Sequence, residues 1–340
     1  MRIGIDARKI GDYGIGTYIR GLVGGLLEIG EDELVAFTSA NAELPDGVER
    51  VIVDAPHYSI RELFAVGRAA DRARLDVFHA PHYVVPHTSV PIVVTIHDLI
   101  HLHQPQRNPL ARPYARFMVR RAVRRAARVL TVSEAVARQL ERELGARDVR
   151  VTPNAADARL TPGGARRRYF LFAGNDKPHK NADALVRAFA RVHRERPDVT
   201  LVLAGGAFRR FDGIAGVSTL GFISDDELRE LYREAMAVVV PSREEGFGLP
   251  ALEAMASGAP VITSADAALV ELTGDAALHA DANDEQSLAA AMLRVADDEA
   301  LRASMSARGT ARARAFTWRR SAEIARAAYR EAWNNVERRV

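Results

Sequence analysis

The chain has 340 residues, of which 48% are hydrophobic and 27% are charged, and its formal net charge is +3. This length suggests about two domains, and the composition is that of a globular protein, neither disordered nor fibrous. Because the chain has no cysteine, disulfides, thiolate metal ligands and a cysteine nucleophile are all excluded.

Short apolar stretches alternate with amphipathic helical stretches along the whole chain, a pattern typical of parallel α/β sheets. Some predicted strands, such as 92–96, are apolar on both faces, as expected where helices cover both sides of a sheet. The predicted strands are 2–5, 34–37, 51–53, 77–79, 92–96 and 129–132 in the first half, and 169–173, 200–204, 217–220, 237–240 and 260–263 in the second. We expect two doubly wound, Rossmann-like parallel-sheet domains that face each other across a cleft.

Residues 161–168 combine turn residues with a charge run, which favours a domain boundary at this point. The predicted divisions are a first domain at 1–163, a second at 164–318 and a final helix at 319–340. The residues of this helix are compatible with packing on either domain. In doubly wound sheets, ligands bind beyond the carboxyl ends of the strands, so we look for site residues there.

Two features follow strands of the first half. Gly14 and Gly16 open a helix and would let backbone N–H groups approach a phosphate or an acceptor, although a purely structural turn fits this segment equally well. Their spacing is not the dinucleotide fingerprint, which argues against an oxidoreductase. His97 follows the fifth strand. Its neutral imidazole would donate a hydrogen bond to a sugar hydroxyl or a leaving phosphate, and the alternative is a buried histidine bonded to the backbone.

A metal site must be considered, because five further histidines lie near His97 in sequence: His79, His82, His87, His101 and His103. Their spacings match no standard zinc pattern. The chain also lacks an Asp-x-Asp pair that would hold a divalent ion against a diphosphate. We therefore expect no metal, and we expect Lys180, helix N-termini and backbone amides to neutralise the negative charge.

Residues 107–128 form a basic helical stretch that carries Tyr114 and Phe117. It suits an anionic membrane surface and a lipid-linked acceptor, and the alternative is a helix that packs its apolar stripe and solvates its arginines.

No aromatic-interleaved basic platform indicates nucleic-acid binding. No apolar run approaches the roughly 18 residues that span a bilayer, and residues 1–6 suit a strand better than a signal peptide. The expected location is the cytoplasm, with peripheral contact at the inner face of the membrane as an extension.

The segment 175–180 contains Lys177 and Lys180 in a chain that otherwise uses arginine for nearly all its cations. An ammonium group is a compact point charge that binds phosphate well. Lys180 follows the first strand of the second half, where it would meet a diphosphate. A fixed cation there stabilises a leaving anion more in the transition state than in the ground state. The alternative is an ordinary surface lysine.

Glu245 and Glu253 flank a glycine-containing turn that opens a helix at Pro250, a residue suited to the first helical position. Gly248 lets the backbone approach a ligand, and the N–H groups and dipole of the helix start suit a phosphate. We interpret Glu245 as reaching sugar hydroxyls and Glu253 as accepting from ribose hydroxyls. The alternative is a capped surface helix with solvated glutamates.

These motifs resemble the retaining glycosyltransferases of family four, which have the GT-B fold, and the similarity covers nearly the whole chain. The most specific match is 231–258, which contains two glutamates eight positions apart. Supporting blocks are 14–18, 95–99, 131–134, 153–154, 221–225 and 316–318. The N-terminal block and residues 177–181 look most like bacterial mannosyltransferases of surface polysaccharide synthesis.

The resemblance also implies roles for individual residues. It places five residues in the site of the nucleotide-sugar donor: Gly16, His97, Lys180, Glu245 and Glu253. Ile223 would offer its backbone to the nucleobase, and Gly248 and Leu249 would offer their amides to the same substrate. The resemblance further implies that the final helix crosses back onto the first domain.

Two positions depart from the family pattern. Asn175, a predicted donor-binding residue, stands where many members have an arginine. Lys180 would then carry the diphosphate charge with less help, or Lys177 or another arginine would substitute. Ala155 replaces a glycine that is usual after the Pro-Asn pair, which concerns the hinge between the domains more than the chemistry.

The sequence therefore predicts a metal-independent, retaining hexosyltransferase that uses a nucleotide-diphosphate sugar, with GDP-mannose as the first choice and no cofactor. Lys180, Glu245 and His97 are the candidate catalytic residues. The second domain would bind the nucleotide, and the first would bind a glycan, lipid-linked or small-molecule acceptor with residues 57–67 and 81–89. The alternatives are a nucleotide-sugar epimerase, a sugar phosphorylase and a non-catalytic sugar-nucleotide binding module.

Overall fold

The computed structural model describes residues 1–57, 59–104 and 111–337. These residues form two compact units. The first unit contains Met1–Asn154 together with the chain from Thr317 onward, and the second contains Ala155–Phe316. The divisions thus lie after Asn154 and after Phe316, whereas the sequence places them after residues 163 and 318.

Each unit is built on one parallel β-sheet. The first sheet contains β1 (Arg2–Asp6), β2 (Glu33–Thr38), β3 (Val48–Ile52), β4 (Val77–Ala80), β5 (Ile92–Ile96), β6 (Arg128–Thr131) and β7 (Arg150–Val151). The second contains β8 (Tyr169–Ala173), β9 (Thr200–Ala204), β10 (Val217–Gly221), β11 (Ala237–Val240), β12 (Val261–Ser264) and β13 (Ala277–Ala280). The strand orders are β3-β2-β1-β4-β5-β6-β7 and β10-β9-β8-β11-β12-β13.

Helices connect most successive strands in both units, whereas loops join β2 to β3 and β4 to β5, and a segment with a 3₁₀ turn, Arg209–Phe211, joins β9 to β10. The first unit has α1 (Gly14–Ile29), α2 (Ile60–Arg72), α3 (Ile100–His103), α4 (Ala111–Arg125) and α5 (Glu134–Leu144). The second has α6 (Ala182–Glu195), α7 (Asp225–Glu234), α8 (Leu249–Ala256), α9 (Ala267–Thr273), α10 (Glu285–Asp297) and α11 (Glu299–Ala313), and the last helix, α12 (Trp318–Glu337), belongs to the first unit. Among the described residues, no helix is both long enough and apolar enough to cross a bilayer.

Both strand orders are those of doubly wound sheets, which confirms the predicted α/β class of two Rossmann-like domains. In each sheet the first strand of the unit, β1 or β8, lies in the middle. The next two strands extend the sheet to one edge, and the remaining strands extend it from the other side of the first strand. This reversal of direction falls between β1 and β4 in the first sheet and between β8 and β11 in the second. Such a switch point leaves a crevice beyond the carboxyl ends of the two strands, where ligands bind.

Two strands were not predicted, and both lie at sheet edges. β7 has only two residues, Arg150 and Val151, and β13 has the short sequence Ala-Leu-His-Ala. β7 is too short to give a periodic signal, and the sequence of β13 is not an apolar run of the kind that marks a buried strand. They become strands because an already formed neighbour, β6 or β12, offers its free edge for pairing.

Apolar side chains from the strands and the covering helices form a separate core in each unit. The first core includes Phe37, Phe78 and Val94, and the second includes Phe170, Phe189 and Leu203. The large buried side chains come from both the strands and the helices. This arrangement explains why the strands are apolar on both faces.

A chain of buried hydrogen bonds crosses the first unit from α12 to the end of β6. Thr152 Oγ1 donates to the carbonyl of Thr131 at 3.2 Å, so the Tyr18 hydroxyl must donate to Thr152, 3.1 Å away. Burial lowers the pKa of His79 to about 3, so its ring is neutral and donates from one nitrogen only. Donation therefore runs in one direction, from Tyr329 through His79, Thr95, Tyr18 and Thr152 to the Thr131 carbonyl. Each buried donor in this chain is paired, as burial requires.

The last helix packs closely against α1 because Gly21 and Gly25 of α1 leave room for it, Gly21 beside the Trp318 ring and Gly25 beside the Trp318 backbone. A methyl group added at Gly25 would lie 2.5 Å from the carbonyl oxygen of Trp318 and 2.9 Å from Ala322 Cβ. The Trp318 ring also meets the Tyr18 ring edge to face, with centroids 6.2 Å apart. The absence of a side chain at Gly25 therefore sets the distance between the two helices.

We expect Gly25→Ala to destabilise the first unit by about 1–3 kcal/mol, since a backbone contact cannot yield as a flexible side chain can. Gly24→Ala is the matched control, because Gly24 is an exposed neighbour in the same helix with no heavy atom near its added methyl group. That variant should be unchanged or more stable by roughly 0.5–1 kcal/mol. Urea denaturation of both variants measures the difference, and equal effects would contradict this account of the helix contact.

Candidate functional site

The second sheet brings Lys180 and Glu245 together at its switch point. Lys180 ends a short 3₁₀ turn, Pro178–Lys180, that follows β8, and Glu245 follows β11. Lys180 Nζ lies 2.6 Å from Glu245 Oε1, and the two side chains are only 17% and 7% exposed. Both residues are predicted catalytic residues, and the topology of the sheet makes them direct partners.

Asn181 holds this arrangement in place. Its Nδ2 donates to the carbonyl of Pro241, which follows β11, and to the carbonyl of Ala282, at 3.1 and 2.7 Å. The backbone of Asn181 is left-handed, with φ of 62°, a conformation that asparagine tolerates better than most residues. The loop after β8 is thereby tied to the loop after β11, and Lys180 is fixed next to Glu245.

The turn before α8 has the backbone that the sequence indicates. Gly248 is the N-cap with φ of 99°, and no side chain caps the helix. A methyl group at this position would lie 2.5 Å from Leu269 Cδ2, so glycine is required for both the conformation and the packing. Leu249 begins the helix, and the first N–H groups of any α-helix lack intrahelical acceptors. This helix start is suited to an anion.

Glu253 lies inside α8 and is buried against α7. The Tyr232 hydroxyl donates to Glu253 Oε2 at 2.9 Å. Burial raises the pKa of Glu253 to about 7, and the hydrogen bond from Tyr232 only partly offsets this effect. The solvated glutamate of the alternative interpretation is thus wrong for Glu253. Its carboxyl group is an acceptor poised to ionise near neutral pH.

Asp266 adds a half-buried carboxyl group next to Glu245. It caps α9 by accepting from the N–H groups of Ala268 and Leu269 at 3.0 and 3.3 Å. Burial raises the pKa of Asp266 to about 6, those two hydrogen bonds oppose the rise, and the charge of Glu245 adds to it. The surroundings of the Lys180–Glu245 pair therefore contain a second acidic group, Asp266.

The other predicted residues of the second unit lie at strand ends. Asn175 follows β8, and its buried Oδ1 has no hydrogen-bond partner among the described residues. Ile223 is partly buried in the loop after β10. Arg210 is the nearby arginine, but it pairs with Asp176 and with Asp183. It is therefore already engaged, and the roles of Asn175 and Ile223 stay predictions.

In the first unit, His97 follows β5, and its ring proton is engaged in a hydrogen bond to a nearby backbone carbonyl. Its Nε2 lies 3.0 Å from the carbonyl oxygen of Pro81, so Nε2 carries the proton and donates it there. Burial lowers the pKa of His97 to about 4, so the ring is neutral at physiological pH. Nδ1 has no partner among the described residues and offers a lone pair. A sugar hydroxyl would therefore donate to His97, which reverses the direction that we expect from the sequence.

Gly16 lies near the start of α1 and packs against the preceding turn. A methyl group there would lie 2.5 Å from the carbonyl oxygen of Ile10. Its N–H donates to the carbonyl of Tyr13 at 2.7 Å. The glycine is thus required by close packing, which was the structural alternative for this segment, and its role with a nucleotide sugar stays a prediction.

The first sheet also has a buried polar group at its switch point, which we call the Arg8 cluster: Asp6, Arg8, Glu62 and His82. Arg8 Nη2 donates to Asp6 Oδ2 at 2.6 Å and to Glu62 Oε1 at 2.7 Å, and Arg8 Nε donates to Asp6 Oδ1 at 2.8 Å. Burial alone would raise the pKa of Asp6, but the hydrogen bonds from Arg8 and the proximity of His82 hold it well below its usual range.

Three members of the Arg8 cluster, Asp6, Glu62 and His82, are close enough to share a metal ion. Ligand atoms of Asp6, Glu62 and His82 all lie within 4.8 Å of one another. The guanidinium of Arg8 already bridges both carboxylates. A divalent ion would have to displace this cation, so the Arg8 cluster does not favour a resident metal.

Sequence reasoning missed several of these residues. Asp6, Arg8 and His82 directly follow β1 and β4, so applying the strand-end rule to every strand would have found them. Glu62 and His82 do fall within the predicted acceptor segments 57–67 and 81–89. Tyr232 and Asp266 have no local signal, because each meets its glutamate only through tertiary packing.

Family models match both halves of the chain. Residues 13–160 match Glycosyltransferase Family 4, and residues 163–312 match Glycosyl transferases group 1. O-antigen chain mannosyltransferase B of Escherichia coli is 30% identical over 269 residues, an alignment that covers 71% of each chain. An MMP alpha-(1->4)-mannosyltransferase of Mycolicibacterium hassiacum is 36% identical over 160 residues, which are 43% of this chain and 39% of that one.

Solved structures match nearly the whole chain. Sucrose-phosphate synthase from Thermosynechococcus elongatus has a TM-score of 0.80 at 23% identity and covers 98% of this chain and 100% of its own. The glycosyltransferase WaaG has a TM-score of 0.78 at 15% identity, with coverages of 96% and 98%. With the two parallel sheets, these matches identify the GT-B fold. The chain belongs to glycosyltransferase family 4 and is a glycosyltransferase, as the resemblance implies.

The unusual pKa of Glu253 predicts a specific dependence of stability on pH. The folded value of about 7 lies above the ordinary value of 4.5, so the folded protein binds a proton that the unfolded chain has already lost between these two values. Stability from this group is greatest below about pH 4.5 and falls as the pH rises to about 7. The expected loss is on the order of 3 kcal/mol.

Glu253→Gln should lack this component, because the amide keeps an acceptor for Tyr232 but does not titrate. Glu230→Gln, at an exposed position, is the matched control and should retain the wild-type dependence. Urea denaturation at pH 5 and at pH 7.5 measures the change for each protein. Equal losses in wild type and Glu253→Gln would show that the carboxyl group is not protonated in the folded state.

Proposed function

We propose that this glycosyltransferase is a retaining, metal-independent hexosyltransferase that transfers mannose from GDP-mannose to a glycan or lipid-linked acceptor. The Lys180–Glu245 ion pair at the switch point of the second sheet is the observation that carries the proposal. Two mannosyltransferases among the relatives support the choice of sugar. Family membership favours transfer over the alternatives of epimerisation, phosphorolysis and simple binding.

The reaction breaks the bond between the anomeric carbon and the β-phosphate oxygen. The nucleoside diphosphate leaves with the electron pair, the acceptor oxygen forms the new bond, and the proton of the acceptor hydroxyl passes to a phosphate oxygen of the departing diphosphate. Negative charge therefore grows on the diphosphate as the bond breaks. A cation held in place before the reaction stabilises this charge without reorganisation.

Lys180 is prepared for this role by its partner. Glu245 neutralises the ammonium group before substrate binds, which limits the cost of holding a charge that is only 17% exposed. When the nucleotide sugar binds, a sugar hydroxyl donates to Glu245, and the ammonium group, which stays paired with Glu245, uses its remaining N–H donors for the phosphate. The N–H groups at the start of α8 supply the remaining positive potential.

The proposal is tested by following nucleotide release from a panel of nucleotide sugars, with and without EDTA. GDP-mannose should give the fastest release in the presence of an acceptor extract or a methyl mannoside, and EDTA should leave the rate unchanged. The anomeric configuration of the product should match that of the substrate. Release that requires added metal, or a product of inverted configuration, would falsify the corresponding part of the proposal.

In the same assay, Lys180→Met should lower kcat at least tenfold at saturating nucleotide sugar, which is about the scale of one lost charged contact in the transition state. Lys177→Met is the matched control, because Lys177 is an exposed lysine three positions earlier, and its kcat should stay near the wild-type value. The double variant Lys180→Met/Glu245→Gln leaves no unpaired carboxylate, so it separates a catalytic defect from simple destabilisation. Unchanged kcat in Lys180→Met would remove the assigned role.

We further propose that α4 binds an anionic membrane surface, where a lipid-linked acceptor would be reached. The helix buries Ala115, Met118 and Val119, as the packing alternative predicts. Yet Tyr114 and Phe117 remain 50% and 64% exposed. Exposed arginines surround them at positions 112, 116, 120, 124 and 125. Exposed aromatic rings among cations are suited to an anionic lipid interface. Residues 107–110 of the predicted basic stretch lie outside the described residues.

Vesicle flotation tests this surface. We expect the wild type to float with phosphatidylglycerol vesicles and not with phosphatidylcholine vesicles, and high salt should weaken the binding. The double variant Tyr114→Ser/Phe117→Ser should lose most of the binding. Phe222→Ser, which removes an exposed ring from the second unit, is the control. Equal flotation of the double variant and the control would rule out α4 as the binding surface.

A further inference from the structure

The Arg8 cluster lies where a doubly wound sheet binds ligands, although the proposed function uses none of its residues. Asp6 ends β1, and Arg8 follows it. His82 follows β4, the strand beside β1 at the point where the strand order reverses. Glu62 reaches the same place from α2. The position is therefore equivalent to that of Lys180 and Glu245 in the second sheet.

The cluster contains two buried hydrogen-bond donors with no acceptor in the described part of the chain, Arg8 Nη1 and His82 Nε2. His82 Nδ1 accepts from the N–H of Val84 at 3.2 Å, so the proton of the neutral ring is on Nε2. This nitrogen lies 3.3 Å from Asp6 Oδ2 but outside hydrogen-bond geometry. The side chains of Arg8 and His82 are only 3% and 4% exposed. Buried donors of this kind call for an additional oxygen atom.

The charge of the region indicates what kind of oxygen this is. Three carboxylates, of Asp6, Asp12 and Glu62, stand against the two cations of Arg8 and Lys9. With neutral imidazoles, the region has a net charge of −1. A phosphate or carboxylate ligand would add to this negative charge. A hydroxyl group accepts from Arg8 or His82 and also donates to a carboxylate, so it meets both needs.

The exposed edge of the cluster suits a sugar ring. Asp12, which pairs with Lys9 in the loop after β1, has a side chain that is 56% exposed. His57 Nδ1 lies 3.8 Å from Glu62 Oε1, and its side chain is 39% exposed. His57 thus adds an accessible polar group beside Glu62, and convergent polar groups of this kind fix the orientation of a small-molecule ligand.

We propose that the Arg8 cluster binds a hydroxyl group of an uncharged terminal sugar of the acceptor, with Arg8 and His82 as hydrogen-bond donors to its oxygen. This inference rests on the proposed function, because it assigns the substrate class of the transfer reaction. The cluster selects uncharged glycan ends and disfavours phosphorylated sugars. Arg8 and His82 thereby determine acceptor specificity without acting on the nucleotide sugar.

Two conservative variants test the proposal. Arg8→Lys keeps a cation between Asp6 and Glu62 but removes the Nη1 donor together with the Nε bond to Asp6 Oδ1. His82→Asn keeps an acceptor for the Val84 N–H but removes the Nε2 donor. Arg2→Lys is the matched control, because Arg2 pairs with Glu33 and Glu49 at the opposite end of β1.

The measured quantities are the KM for a methyl hexoside acceptor, the rate of nucleotide release without acceptor, and the melting temperature. Arg8→Lys and His82→Asn should each raise the acceptor KM about tenfold, the scale of one lost hydrogen bond, while the acceptor-independent release stays near wild type. The melting temperature should stay near wild type in His82→Asn and fall by a few degrees in Arg8→Lys, which loses a buried bond to Asp6, so His82→Asn separates acceptor binding from destabilisation. Arg2→Lys should change none of the three. An acceptor KM within twofold of wild type in both variants would overturn the proposal.

The substrate class is tested by comparing a methyl hexoside with the matching hexose 6-phosphate. We expect the uncharged sugar to bind at least tenfold more tightly to the wild type, and the reverse order would overturn the assignment. Saturation-transfer NMR of the same two probes, on wild type and Arg8→Lys, measures binding without any reaction. If no nucleotide sugar releases its nucleotide, the proposed function fails, and the NMR comparison still decides whether the cluster binds an uncharged sugar.

Discussion

The ion pair between Lys180 and Glu245 is the interaction on which the site of the second unit depends. Two charged side chains that are 17% and 7% exposed are stable only if they remain paired, because loss of one partner leaves an uncompensated buried charge at a cost of about 3–5 kcal/mol. The pairing requires that the loops after β8 and β11 lie side by side. The strand order brings them together, and Asn181 fixes their distance with two hydrogen bonds to backbone carbonyls.

The first unit also keeps a buried cation paired with carboxylates, but the cation is an arginine instead of a lysine. There, Arg8 pairs with Asp6 and Glu62 at the equivalent point of the sheet. Burial lowers the pKa of His97 to about 4, so its ring is neutral, and His97 and His82 are both held in fixed orientations. His97 donates to the Pro81 carbonyl, and His82 accepts from the Val84 N–H. The second unit thus offers an ammonium group to a ligand, whereas the first offers hydrogen-bonding groups whose positions are set by carboxylate and backbone partners. This difference agrees with a proposed reaction in which an anionic nucleotide sugar meets an uncharged acceptor.

Much of the fold could be predicted because its signals are local. The buried strands of the doubly wound sheets, such as β5 and β8, are apolar runs bounded by turn residues, and the glycine and proline around Gly248 specify the turn before α8. The edge strands β7 and β13 could not be predicted, since a short edge strand depends on its neighbour more than on its own sequence. In the same way, Glu253 is recognisable from its motif, but its protonation depends on burial against Tyr232.

The sequence alone determined the class of the fold, the family and the strand ends at which reactive side chains occur, because periodicity and motif spacing are properties of neighbouring residues. Only the tertiary structure decided which side chains meet. It paired Lys180 with Glu245, placed the proton of His97 on Nε2 and assembled the Arg8 cluster from three separate segments. Pairing, burial and proton position depend on distances between residues far apart in the chain. Those distances are set only when the sheets form and their strand order reverses.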